Sequence, residues 1–223
     1  MPNGDLERIM GGCEPGSLII VAARPSVGKS VFGQQATTVA GRRGYASAFF
    51  SGEMPAEQLA MRALAAYSNV PLAEIREGKA SAKSGLISDA MCKLAALPIH
   101  VDDTGGLHIN QIVARSRALH RRHKLGLIVV DYLTLVRGDG EKTTDRVGDV
   151  AQRLKVLAKE LDGIVIALSQ MSRECEKRTD KRGILSDLRD SGEIEQAADV
   201  VIFLHRDEVY DPNTPNKGVI EMI

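Results

Sequence analysis

The 223-residue chain has no tryptophan, and only four phenylalanines and four tyrosines. Its core must therefore be built from Leu, Ile, Val and Ala, which suits a parallel sheet covered by helices. Net charge is absent too, since 29 Lys and Arg balance 29 Asp and Glu. A protein that grips nucleic acid with a broad basic face is usually basic overall. The balance argues against that mode and leaves only a few placed groups, or a ring assembly, to make such contacts. The three cysteines, Cys13, Cys92 and Cys175, share no metal-ligand spacing and are odd in number. They read as reduced thiols of a cytosolic, and hence cytoplasmic, protein. The longest apolar run near the start, Leu18 to Ala23, is far too short to span a bilayer. Signal peptide, internal repeat and low-complexity tract are all missing.

What is present is ordinary for a globular α/β protein: 43% hydrophobic and 26% charged residues, in a length sufficient for one full core. Residues 18–22 form a continuous apolar run between Pro15-Gly16 and Pro25, the pattern of a buried strand. A helix is expected from Lys29 to about Gly41, a strand over 45–51, and a helix from Pro55-Ala56-Glu57 to about Ser68. Residues 70–97 read as short helices. A short strand at 99–101 ends in Asp102 to Gly106, and Ile109, Ile112, Val113, Ser116 and Leu119 lie at helical spacing. A strand over 127–131, an amphipathic helix over 145–162 and a strand over 164–169 follow. Residues 171–188 are polar and read as an exposed loop. A strand at 200–204, a turn at 211–216 and a strand beginning at Gly218 complete the pattern. Apolar strands alternating with helices predict a mostly parallel sheet flanked by helices. In such sheets ligands sit at the carboxyl ends of strands, which is where Arg24 to Ser30, Glu53, Asp131 and Gln170 fall.

Ala23-Arg24-Pro25-Ser26-Val27-Gly28-Lys29-Ser30 fits a Walker A loop from its second glycine onward, with Ala23 in place of the first. A strand feeds a tight turn, and the turn runs into a helix N-terminus. Main-chain N–H groups of Ser26, Val27, Gly28 and Lys29 can then curl around a phosphate, aided by the helix dipole. Lys29 would reach the β- and γ-phosphates of ATP, and the Ser30 hydroxyl would hold Mg²⁺. Asp131 closes an apolar strand as a Walker B acid does, a second candidate Mg²⁺ ligand. Hydrolysis needs a group that orients water. Glu53 is placed for that role, or else is a dipole-matched acid at the start of the next helix. Gln170 is placed to hydrogen-bond a γ-phosphate, or else faces solvent at a loop entry.

Together these segments resemble the DnaB-type replicative helicases, whose motor is a RecA-like ATPase. The match is carried by residues 16–30, by Phe50-Ser51-Gly52-Glu53-Met54-Pro55, by Ile128-Val129-Val130-Asp131-Tyr132-Leu133 and by Leu168-Ser169-Gln170-Met171-Ser172-Arg173. It continues through Asp187 to Gln196 and His205 to Tyr210. Ala23 fits this family, whereas Gly52, Met171 and Ala197 depart from it. The resemblance implies a RecA-like P-loop NTPase that hydrolyses ATP with Mg²⁺, using Glu53, Lys29 and Gln170. It implies that Arg62 lies near the nucleotide, and that Arg189, Asp190 and Gly192 contact single-stranded DNA. Within the chain, Arg189 also has the reading of a salt bridge among Asp187, Asp190 and Glu193. The family implies a homo-hexamer, with primase and a loader as further partners, and no membrane. Residues 1–223 are then expected to be one motor domain, a fragment without the N-terminal domain and without a C-terminal end that would carry an arginine finger. The alternative is another RecA-like ATPase, such as a recombinase or a hexameric switch or loader.

Overall fold

The computed structural model describes residues 12–139, 142–188 and 191–223. Seven strands form one sheet: β1 Leu18–Ala23, β2 Ala46–Ser51, β3 Ile99–Asp102, β4 Leu125–Asp131, β5 Ile164–Gln170, β6 Val200–His205 and β7 Glu221–Met222. Their order is β3-β2-β4-β5-β1-β6-β7. All neighbours pair in parallel except β6 and β7, which meet antiparallel at Leu204↔Met222 and His205↔Glu221. The strand expected from Gly218 is thus only two residues long and reverses direction.

Strands β1 and β2 are buried along their whole length, six residues each, and β4 and β5 nearly so. Side chains alternate between two faces. Leu18, Ile20 and Ala22 face one core together with Ile128, Val130 and Ala167, and Ile19, Val21 and Ala23 face the other with Phe49, Val129 and Leu168. The first core is closed by helices α5 (Ile109–His123) and α6 (Thr143–Glu160). The second is closed by α1 (Lys29–Arg42) and α2 (Ala56–Ser68). Short α3 (Leu72–Arg76), longer α4 (Ser84–Ala95) and α7 (Ser191–Ala197) complete the α-helices among the described residues. The buried stripe of α6, including Val147, Val150, Leu154 and Leu157, is the one its periodicity predicts. At the base of the sheet Asp199 accepts from the Leu18 N–H at 2.7 Å and pairs with Lys155 at 2.6 Å, which pins β1 to α6. Among the described residues, no helix is long and apolar enough to cross a membrane.

Candidate active site

At its carboxyl end β1 passes directly into the phosphate loop. Val27 is buried and anchors it, while Pro25 and Ser26 are exposed. Two residues take left-handed backbone conformations, Ser26 at φ 65° and Gly28 at φ 121°, and for Gly28 the missing side chain removes the steric cost. Gly28 then caps α1 without a side-chain hydrogen bond, and no acid stands in the first turn. The leading N–H groups of α1 therefore lack a side-chain acceptor, at the positive end of the helix dipole. This helix lies unusually close to the sheet: a Cβ on Gly33 would sit 2.9 Å from Val129 Cγ1 and 3.3 Å from Phe49 Cε2.

The acids come from β2 and β4. Gly52 N–H donates to the Asp131 carbonyl at 2.7 Å, joining the two strand ends. Asp131 is buried, and neither carboxylate oxygen has a hydrogen-bond partner. Burial pushes its carboxyl pKa above the ordinary range. The Ser30 hydroxyl, near it but outside hydrogen-bonding geometry, pulls the other way together with Lys29 and Arg62, and Glu53 adds to the rise. The Asp131–Tyr132 peptide bond is cis. Burial lowers the Lys29 pKa, opposed by Asp131 and Glu53. Four of the expected site residues (Lys29, Ser30, Glu53 and Arg62) thus lie within electrostatic reach of a fifth, Asp131. Glu53 itself is exposed, on a turn closed by hydrogen bonds between Ser51 Oγ and the Met54 main chain.

Gln170 ends β5 in register with Ala23 and is half-buried. Strand β5 lies between β1 and β4, so Asp131 is two strands from the phosphate loop. The expectation of an exposed loop over 171–188 is corrected. Met171, Cys175, Asp187 and Leu188 are buried, and Met171 and Leu188 form an antiparallel bridge. Asp187 takes a bidentate contact from Arg178, at 2.9 and 2.5 Å. The polar residues of this segment are spaced around apolar anchors, which composition alone does not reveal. Arg189 and Asp190 lie outside the described residues, and Gly192 is exposed in the first turn of α7.

Four contacts went unread in the sequence. Arg24 binds the Met171 carbonyl and Glu176. Lys29 Nζ stands 4.9 Å from the centroid of the Tyr132 ring. Asp103 caps α2 by accepting from Ala56 N–H at 2.8 Å. Only the position of Tyr132 beside the strand-end acid carried a signal.

A parallel sheet with this strand order, its phosphate loop on a central strand and its acids at neighbouring strand ends define a RecA-like nucleotide-binding domain. More narrowly, the chain belongs to the DnaB-like helicase C terminal domain family, whose model matches residues 3–223. It is 44% identical over 230 residues to the replicative DNA helicase DnaC of Bacillus subtilis, covering all of this chain and 51% of that protein. A separately solved ATPase domain superposes with a TM-score of 0.93 at 32% identity, covering 98% of this chain and 80% of that one. A DnaB-like replicative helicase solved with attention to its interactions with primase gives the same TM-score and identity, over 98% of this chain and 54% of that one. The chain spans about half the length of the curated relatives it matches.

Proposed function

We propose that residues 1–223 form one RecA-like motor domain that hydrolyses ATP to move a replicative helicase along single-stranded DNA and unwind duplex. The observation that carries the catalytic part is Asp131. A buried carboxylate with no hydrogen-bond partner is costly, yet here it faces Ser30 and Lys29 across the uncapped start of α1. A ligand that brings phosphate oxygens and a cation would relieve all of these groups together. Residues 26–30 would cradle the phosphates, Lys29 would bind their terminal oxygens, and Arg62 would add positive charge nearby. Ser30 and Asp131 would hold Mg²⁺, which supplies charge neutralisation across the β- and γ-phosphates. Two protein donors suffice, because Mg²⁺ commonly takes one or two protein ligands and completes its shell with phosphate and water.

Glu53 would accept a proton from, and orient, the attacking water. Gln170 would hydrogen-bond the γ-phosphate. Its register partner Ala23 and its neighbour Met171 tie any shift there to the phosphate loop. The segment that follows ends at Leu188, directly before Arg189, Asp190 and Gly192, the residues assigned to single-stranded DNA. Family membership supports a homo-hexameric ring, primase and a loader as partners, and a cytoplasmic setting. Unwinding of a forked duplex, measured beside ATP turnover with and without single-stranded DNA, tests the reading. DNA-stimulated turnover with unwinding is expected. Turnover without unwinding in any context would favour another RecA-like ATPase.

A further inference from the structure

Lys29 and Asp131 carry opposite charges and shift one another's pKa, yet they do not pair. The Lys29 ammonium instead stands over the Tyr132 ring, 4.9 Å from its centroid. Tyr132 is half-buried and packs against the core beneath α1, and its hydroxyl makes no hydrogen bond with a described residue. We propose that Tyr132 is a positioning residue, whose ring face holds the Lys29 ammonium over the phosphate loop and away from Asp131, where phosphate can reach it. This rests on the reading of Lys29 as a phosphate contact.

A half-buried ammonium needs compensation. An ion pair with Asp131 would supply it, but would also tie up both groups, and incoming phosphate would have to break a desolvated pair. An aromatic face attracts the ammonium through its quadrupole. It takes none of the three N–H donors that phosphate oxygens will need. It also leaves both Asp131 oxygens open, as observed. The attraction belongs to the ring and not to the hydroxyl, so phenylalanine should serve as well as tyrosine.

The test is calorimetric titration with ADP in the absence of Mg²⁺, so that Asp131 acts only as a competitor for Lys29. Tyr132→Phe should bind within about 2-fold of the wild type, and Tyr132→Leu about 10-fold more weakly, the scale of a partly desolvated cation–π contact. Adding Asp131→Asn to Tyr132→Leu should recover most of the loss, because the competing anion is gone. Thermal melting checks that the leucine variant folds, and Tyr132→Met replaces it if it does not. Equal loss in the phenylalanine and leucine variants, or none in either, would overturn the proposal. The Lys29→Ala variant separates it from the reading beneath it. If that variant binds ADP like the wild type, the phosphate-contact reading falls and the proposal with it. If affinity depends on Lys29 but ignores the ring, only the proposal falls.

Discussion

Arg24 of the phosphate loop donates through Nη1 to the main-chain carbonyl of Met171, 2.9 Å away. Met171 in turn donates its N–H to the Ala23 carbonyl at 3.1 Å. The residue after Gln170 is therefore held to the phosphate loop from both sides, and its bridge partner Leu188 directly precedes Arg189. Arg24 also reaches Glu176 at 2.8 Å, but Glu176 is 44% exposed whereas Arg24 is 12% exposed.

Those exposures predict unequal costs. Arg24→Ala removes a partly buried hydrogen bond to a carbonyl and should cost about 1–2 kcal/mol. Glu176→Gln removes only a solvent-screened pair and should cost less than about 1 kcal/mol. Urea denaturation of the two variants measures both. An equal or reversed ranking would mean that the Met171 contact contributes little.

Gly33→Ala should destabilise the fold although alanine is the better helix former. The added methyl meets Val129 Cγ1 at 2.9 Å and Phe49 Cε2 at 3.3 Å, both buried in the sheet. Overpacking of this kind costs about 1–3 kcal/mol, against a helix-propensity gain of at most about 1 kcal/mol. A lowered denaturation midpoint is expected, and nucleotide affinity should fall with it, because α1 carries Lys29 and Ser30. A stabilised variant would show that α1 can shift freely on β4.

Asp131 should make the nucleotide-free chain less stable as pH rises. Its folded pKa lies above the unfolded value because burial disfavours the charged form. The native state thus holds the proton more tightly, and stability from this group is greatest below the unfolded pKa. It is lost as pH climbs through the folded pKa. Asp131→Asn should therefore raise the nucleotide-free midpoint at neutral pH, with a gain that shrinks in acid. Denaturation of both proteins across pH reads this directly, and a gain that grows in acid would reverse the assignment.

Glu53→Gln should keep nucleotide affinity and lose about 10²–10⁴-fold in turnover, the usual contribution of a positioned acid–base group. Its exposed place on the turn after β2, within electrostatic reach of Lys29 and Asp131 but not part of the phosphate loop itself, is the reason for that split. A variant of normal turnover would leave Glu53 with the dipole-matched role at the start of α2.

Much of this was legible from local signals. A parallel strand buried on both faces leaves an apolar run, so β1, β2, β4, β5 and β6 stood out, and polar residues at their ends marked the site. Strand order did not, because every central strand looks alike in composition; hence the insertion of β5 between Asp131 and the phosphate loop was invisible. The segment from Met171 to Leu188 looked exposed because its five buried residues, Gly183 among them, are scattered among charges. Contacts such as Lys29 with Tyr132 depend on side chains brought together from a helix start and a strand end far apart in the chain, and no spacing rule announces them.

The central claim is that the loop from Ser26 to Ser30 binds the phosphates of a nucleotide. Equilibrium titration of a fluorescent ADP analogue with Mg²⁺ into the wild-type chain and into Lys29→Ala tests it most directly. Saturable binding by the wild type, lost or weakened at least about tenfold in Lys29→Ala (about 1.4 kcal/mol), is the predicted result. Equal affinity in the two proteins would contradict it.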